Sequence, residues 1–106
     1  MIAADLPPVP VGLGLREYHI SVYRPTVRAG AVAFTMTNYG EDTHDLQVVG
    51  PGGYRSAVSP DVQGLGGHLR FRVTLRRPGI YQLLCVKPGH SKRGMRTTLR
   101  VTRRAP

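Results

Sequence analysis

The chain has 106 residues, the size of a single domain, and a chain of this length can bury a hydrophobic core without disulfide bonds. Its formal net charge of +9 suits an acidic partner, but the basic residues are spread along the chain, and no helix-turn-helix, zinc-finger or aromatic RNA-binding motif accompanies them. We therefore expect an acidic protein partner and no specific nucleic acid. The single Cys excludes an internal disulfide, and no apolar stretch is long enough to span a membrane as a helix.

The first part of the chain combines turn-forming and strand-forming segments. Pro and Gly are frequent over residues 1–14, and we predict an irregular N-terminal arm there. Side chains over residues 15–23 alternate in polarity, which predicts a half-buried strand that Pro25 would end. The two faces of this strand are Tyr18, Ile20 and Val22, and Glu17, His19 and Ser21. Residues 31–37 alternate in the same way and lead into a polar turn over residues 38–42.

The middle of the chain contains one more strand and then loses its periodicity. The strand is predicted to begin at His44, with Leu46 and Val48 on one face. Residues 50–53 would close it, because Pro and Gly favour turns. Residues 54–67 show no clear period, and their Pro and Gly content predicts a loop.

The C-terminal part holds the clearest strand patterns. Residues 68–75 alternate strictly in polarity. Residues 80–86 are predicted to form a strand whose inward face ends at Cys85, and residues 95–103 the last strand. About seven to eight short strands, Gly and Pro turns and no helical period predict an all-β fold for a single domain over residues 1–106, a Greek-key β-sandwich.

A set of soft metal ligands follows the strand that ends at the single Cys. Cys85, His90 and Met95 are spaced five residues apart on one short loop. A thiolate, an imidazole and a thioether suit copper better than calcium or magnesium, which prefer oxygen ligands. A second imidazole, which His44 can provide, would complete a site of two His, one Cys and a weak axial Met.

These motifs resemble those of the cupredoxins, the blue-copper family. The pattern Gly-x-Tyr-x-x-x-Cys-x4-His-x4-Met matches Gly79, Tyr81, Cys85, His90 and Met95. The upstream Asn-x-Gly followed by a His matches Asn38, Gly40 and His44. The Cys-to-His spacing is more similar to that of rusticyanin and auracyanin than to the shorter spacing of plastocyanin. The resemblance spans roughly residues 18–101 and implies the same β-sandwich that the alternation predicts independently.

The resemblance implies one copper per chain, alternating between Cu(I) and Cu(II). Its ligands would be His44, Cys85, His90 and the axial Met95. It further implies a one-electron carrier rather than an enzyme. The alternatives are a copper-handling protein and an electron-entry domain of a larger copper enzyme. A stand-alone multicopper oxidase is not expected, because it needs His-x-His pairs and the chain has none.

The surroundings of the second His ligand suggest how a partner would bind. In cupredoxins this His usually reaches the surface and passes the electron, a role that would belong to His90. The basic residues near it in sequence are Lys87, Lys92, Arg93 and Arg96. Because electrostatic screening acts over about 8 Å at physiological salt, we expect these charges to direct docking onto an acidic redox protein. We expect the chain itself to be a monomer.

Several other residues have a predicted place without a predicted ligand role. His19 and His68 fall on outward faces and are expected to be solvated, whereas Met36 and Tyr81 are expected to pack in the core. Asp45 stands where the family often has an Asn that ties two loops together and touches the Cys sulfur. An acidic group there would stabilise oxidised copper unless it is turned away or neutralised.

The resemblance also carries expectations about location and about one loop. Cupredoxins are typically exported, which implies a periplasmic or extracellular protein. The first residues lack the basic and apolar segments of a signal peptide, so we expect a leader or membrane anchor to be absent from this chain. Many cupredoxins carry a short helix in the region of residues 54–67, which is the alternative to the loop predicted there.

Overall fold

Side chains of alternating polarity arrange the chain in two β-sheets that share one core. The computed structural model describes residues 6–103, which form nine strands. Their bounds are Val9–Arg16 (β1), His19–Val22 (β2), Thr26–Arg28 (β3), Gly30–Asn38 (β4), Gln47–Gly50 (β5), Tyr54–Arg55 (β6), Gly67–Leu75 (β7), Gly79–Leu84 (β8) and Arg96–Thr102 (β9). The predicted all-β sandwich is confirmed. The strands outnumber the predicted seven or eight because β2, β3 and β6 are too short to show a period.

Each sheet combines parallel and antiparallel strand pairs. The first sheet has the order β2-β1-β4-β7, in which β1 runs parallel to β4 and β4 antiparallel to β7. The second has the order β3-β9-β8-β5-β6, in which only β3 and β9 are parallel. Successive strands such as β4 and β5, or β7 and β8, belong to different sheets. The chain therefore crosses repeatedly between the layers and ties them together.

The inward side chains of both sheets form a single hydrophobic core. Its largest fully buried apolar members are Tyr81, Phe34, Leu13, Leu15, Ile20, Met36, Leu46, Leu75, Leu83, Met95 and Leu99. The predicted packing of Met36 and Tyr81 is confirmed, and the Tyr81 hydroxyl donates a hydrogen bond to the Arg77 carbonyl at 2.7 Å. Each large apolar side chain buried in this way stabilises the fold by about 1.5–3 kcal/mol.

Most of the predicted N-terminal arm that the structure describes is a strand. The buried positions of β1 are Val9, Val11, Leu13 and Leu15. The prediction over residues 1–14 was wrong here because the Pro and Gly residues occupy the opposite face. Pro10 lies where β1 pairs with β4 alone, so its missing N–H interrupts no second ladder. At Gly14 a Cβ would collide with the hydroxyl of Tyr23, whose ring lies against this face. Residues 1–5 of the predicted arm lie outside the described residues.

Two further predictions need correction. The strand predicted over residues 15–23 is a hairpin, in which β1 turns into β2 and Leu15 lies opposite Ile20. The strand predicted to begin at His44 begins at Gln47, and His44 itself makes an isolated bridge. The other predicted strands are confirmed to within two residues at each end.

The loop predicted over residues 54–67 is confirmed except at Gly67, which begins β7, and at two further points. Its first two residues form β6, and Val62 bridges to His44. The alternative of a short helix in this region is wrong. More generally, residues 6–103 contain no helix with the length and apolar character that a membrane crossing requires.

The strands place three chain segments at one end of the sandwich. β8 ends at Leu84, which pairs with Arg96 at the start of β9. β4 ends at Asn38, whose side chain hydrogen-bonds to the carbonyl of Val62 at 2.9 Å, next to the bridge with His44. The predicted metal ligands therefore meet at this end.

Candidate metal centre

Cys85 enters the site directly from the end of β8. Tyr81, Leu83 and Cys85 all face inward because strand side chains alternate, and the Cys85 side chain is fully buried. Its backbone N–H donates to the carbonyl of Met95 at 3.2 Å, which continues the pairing of β8 with β9 beyond the strand ends. The sulfur is therefore held by two paired strands.

The loop over residues 85–95 is closed by its own backbone hydrogen bonds. The carbonyl of His90 accepts from the N–H groups of Arg93 and Met95, both at 3.1 Å. The N–H of His90 in turn donates to the Lys87 carbonyl at 3.0 Å. Gly94 has φ 115°, a left-handed conformation that Gly adopts readily and that reverses the chain before Met95. These bonds fix the position of His90 relative to Cys85.

His44 is held by contacts from distant parts of the chain. It exchanges two backbone hydrogen bonds with Val62, at 3.1 and 2.7 Å. The amide of the fully buried Asn38 donates to the carbonyls of Asp42 and Val62, and its oxygen accepts from the N–H of Gly40. Asn38 thereby closes the turn that carries His44, in agreement with its place in the predicted motif.

The donor atoms of three predicted ligands face one another. The Cys85 sulfur lies 3.9 Å from Nδ1 of His44 and 3.6 Å from Nδ1 of His90. One donor atom from each of the three residues lies within 4.8 Å of the others. Metal–nitrogen and metal–sulfur bonds of about 2.0–2.3 Å meeting near 120° would separate their donors by roughly 3.8 Å. The spacing therefore fits one metal ion between three soft donors.

Met95 lies at the end of the same loop. Its side chain is fully buried, and its backbone is bonded to both Cys85 and His90. The backbone of Met95 is thus held beside Cys85 and His90. That Met95 provides a fourth, axial ligand stays a prediction.

Glu17 contacts His44 at Nε2, the ring nitrogen that does not face Cys85. Its Oε1 lies 2.9 Å from Nε2 of His44 and accepts the Asp42 N–H at 2.7 Å, while Oε2 accepts the Glu41 N–H at 3.1 Å. Burial alone would raise the pKa of Glu17, but the hydrogen bonds from Asp42, Glu41 and His44 outweigh it and lower the pKa to about 2. The sequence pattern had placed Glu17 on a solvated strand face, so this contact was missed.

Asp45 ties the two ligand segments together, as the Asn often found at this position does. Its buried Oδ1 accepts the N–H of Val86 at 2.8 Å, and Oδ2 lies 3.9 Å from Nζ of Lys87. Burial raises the pKa of the Cys85 thiol, and the charge of Asp45 raises it further, against backbone N–H groups of Asp45 and Lys87 that lower it. In the metal-free protein the sulfur is therefore a protonated thiol at neutral pH.

The predicted basic rim around His90 is partly neutralised. Lys87 donates a hydrogen bond to Asp61 at 2.6 Å, which raises the pKa of Lys87 and removes it from the free charges. The Arg93 guanidinium lies 5.2 Å from the centre of the Tyr18 ring, which itself packs edge-on against His90. Lys92, Arg93 and Arg96 are exposed, so the rim is smaller than predicted but still present.

The two remaining histidines lie away from the centre. His19 and His68 are exposed, as predicted, and His68 Nδ1 contacts only the Thr37 hydroxyl, at 3.2 Å, among the described hydrogen bonds. Within residues 6–103, one cluster of His, Cys, Asp or Glu side chains has donor spacing suited to a metal ion, and it is the set described above.

No protein-family model matches this chain, and no curated protein sequence matches it. Solved structures do match. Reduced auracyanin from Roseiflexus castenholzii superposes with a TM-score of 0.75 at 20% identity, over 89% of this chain and 97% of that one. Auracyanin A from Chloroflexus aurantiacus, a "blue" copper protein, gives 0.74 at 22% identity, over 91% and 100%. Rusticyanin from Thiobacillus ferrooxidans gives 0.64 at 21% identity, over 90% and 77%.

The likeness to these proteins extends over nearly the whole length of the described chain. At such low identities it concerns the arrangement of the strands rather than their sequences. The same two-sheet architecture had been predicted from the alternation of side chains. The chain therefore has the cupredoxin fold that auracyanin and rusticyanin share.

Proposed function

We propose that this chain is a mononuclear blue copper protein of the cupredoxin family that carries one electron at a time. The observation that carries the proposal is the meeting of Cys85 Sγ with Nδ1 of His44 and of His90. A buried thiol between two imidazoles is a donor set that suits copper, and Met95 would add a weak axial thioether. The blue copper protein auracyanin A, which has the same fold, supports the assignment.

Copper bound there would supply a one-electron couple between Cu(I) and Cu(II). Cys85 would bind as a thiolate, so its proton must leave when the metal enters. His44 and His90 would each bind through a neutral Nδ1. The backbone bonds that link Cys85, His90 and Met95 would keep the donors in place in both oxidation states. Small rearrangement on electron transfer is what a carrier requires.

His90 is the ligand through which an electron would leave the protein. Its side chain is 14% exposed, whereas His44, Cys85 and Met95 are fully buried. An acidic redox protein would dock around it, drawn by the exposed Lys92, Arg93 and Arg96. Lys87 would contribute less, because Asp61 and Asp45 surround its ammonium group.

We further propose an exported monomer that is not itself an enzyme. The sequence has no His-x-His pair for a trinuclear oxidase centre, and the residues described hold one metal-binding cluster. A role in copper delivery would use the same ligands. The burial of three of them favours slow metal release and therefore the electron carrier.

The test is the visible spectrum of the purified protein after addition of Cu(II), with Cys85→Ser as the control. We expect an intense blue or green colour that one equivalent of copper saturates, that bleaches with reductant and that returns on oxidation. The control should stay nearly colourless, because the transition needs the thiolate. A colourless wild-type protein would contradict the proposal. Transfer of the metal to an apo acceptor within seconds would favour copper delivery instead.

A further inference from the structure

We infer that Glu17 is a positioning residue for the metal centre, which fixes the ring orientation and tautomer of His44 and favours the oxidised state of bound copper. The inference rests on the proposed function for its redox part. It assigns a role to a carboxylate that is 27 positions from His44 in sequence and lies in the turn between β1 and β2.

The two nitrogens of His44 face different partners. The side chain is fully buried, so both nitrogens need partners inside the protein. Nδ1 faces the sulfur of Cys85, where a metal ligand must be free of a proton. Nε2 faces Oε1 of Glu17 at 2.9 Å. A carboxylate can only accept, so Nε2 carries the proton and Nδ1 is left free. Glu17 thus selects the tautomer that binds metal at Nδ1.

Glu17 is itself held in place by hydrogen bonds. Its two oxygens accept the backbone N–H groups of Asp42 and Glu41, which belong to the turn that carries His44. The carboxylate occupies the space beside Gly40, where a Cβ would lie only 2.6 Å from Oε2. Gly40 therefore leaves room for the carboxylate. With three hydrogen-bond partners, Glu17 has little freedom to turn away from the imidazole.

The imidazole of His90 differs from that of His44 in its surroundings. Nε2 of His90 has its nearest described carboxylate, Asp42, at 3.9 Å, which is too far for a hydrogen bond. The carboxylate partner therefore distinguishes His44 from His90.

Glu17 should also act on bound copper electrostatically. A carboxylate hydrogen-bonded to a metal-bound imidazole makes the ring a stronger donor, and its negative charge acts on the metal across the fully buried His44 ring, while the Glu17 side chain itself is 27% exposed. Both effects stabilise Cu(II) more than Cu(I), since the oxidised ion carries the larger charge. Glu17 should therefore lower the reduction potential.

The redox test is Glu17→Gln, which keeps the size of the side chain and removes the charge. We expect the variant to fold and turn blue, with the equilibrium shifted toward Cu(I) by about tenfold, a rise of about 59 mV for a one-electron couple. The matched control is Glu41→Gln, which removes an exposed charge from the turn that carries His44, at a residue whose backbone N–H hydrogen-bonds to Glu17. We expect its shift to be at most a third as large. Equal shifts in the two variants would overturn the redox part of the inference.

A second readout needs no copper. In the metal-free protein labelled with ¹⁵N-histidine, NMR should show His44 as the Nε2–H tautomer. In Glu17→Ala that signal should give way to a mixture of tautomers or to the Nδ1–H form. An unchanged tautomer in Glu17→Ala would overturn the positioning part. A wild-type protein that fails to turn blue would instead contradict the proposed function and leave the tautomer test decisive for Glu17.

Discussion

The two segments that carry the predicted ligands are built in different ways. The segment over residues 38–46 is held largely by side-chain hydrogen bonds, from Asn38 within it and Glu17 outside it, and by the backbone bridge to Val62. The loop over residues 85–95 is held from inside, by a chain of backbone hydrogen bonds. The first segment buries its imidazole completely, and the second leaves its imidazole partly exposed. His44 therefore lies in the enclosed part of the site, and His90 lies in the part that reaches solvent.

The largest expected effect is that of removing either imidazole, which tests the difference in exposure between His44 and His90. We expect His44→Gly and His90→Gly both to lose the visible colour in Cu(II), because each removes one of three strong donors. Free imidazole should restore the colour of His90→Gly, since that space opens to solvent. It should not restore the colour of His44→Gly, whose space is enclosed. The measurement is the absorbance of both variants during an imidazole titration.

An equal response of the two variants to imidazole would show that the difference in exposure has no functional weight. The control is the wild-type protein, whose colour should not change over the same concentrations of imidazole. Cys85→Ser should stay colourless throughout, because the added ligand cannot replace the sulfur.

A smaller effect is expected on stability. Asn38→Ala should destabilise the metal-free protein by about 2–4 kcal/mol, since it leaves the Asp42 carbonyl and the Gly40 N–H without this partner and removes one of the two hydrogen bonds to the Val62 carbonyl. Ser91→Ala, in the loop that relies on backbone bonds, should change the free energy of unfolding by about 0.5 kcal/mol or less. Urea denaturation of the three proteins measures both values. Similar losses in both variants would contradict the distinction between the two segments.

The smallest effect concerns charge. The 85–95 loop presents Lys92 and Arg93, and the opposite end of the sandwich presents the pair Arg76 and Arg77. We expect Lys92→Ala/Arg93→Ala to slow oxidation by the anion ferricyanide severalfold at low salt, with the difference vanishing as salt is added. The double variant Arg76→Ala/Arg77→Ala removes the same charge far from His90 and should have a weaker effect. Stopped-flow kinetics over a range of ionic strengths decides between them.

The sequence predicted the site better where the interactions are local. The spacing of Cys85, His90 and Met95 is readable because one short loop holds all three, and their neighbours along the chain close it. Glu17 was not readable as a site residue, because a Glu at a strand end is ordinarily solvated. Only the pairing of β1 with β2 and β4 brings its turn beside the segment that carries His44.

Prediction of the strands from the sequence was limited in the same way, by contacts between distant segments. Strands with polar outer faces, such as β7, were predicted correctly from their alternation. β1 was missed because its outer face consists of Pro10, Gly12 and Gly14, which are ordinarily signs of a loop. These small residues are explained by the Tyr23 ring that covers Gly12 and Gly14, a contact between segments that no local pattern reveals.

The acidic residues are sorted to one end of the molecule. The acidic residues that the structure describes are Glu17, Glu41, Asp42, Asp45 and Asp61. Each of them belongs to the segment over residues 38–46, or hydrogen-bonds to that segment or to Lys87. The other end carries Arg28, Arg76, Arg77 and Arg103 and, within residues 6–103, no acidic side chain. Because these acidic side chains offset Lys87, Lys92, Arg93 and Arg96 at the metal end, the molecule should carry a permanent electric dipole whose positive end is the arginine end. Near an anionic lipid surface it should turn that end toward the lipid, with His90 pointing away from the surface.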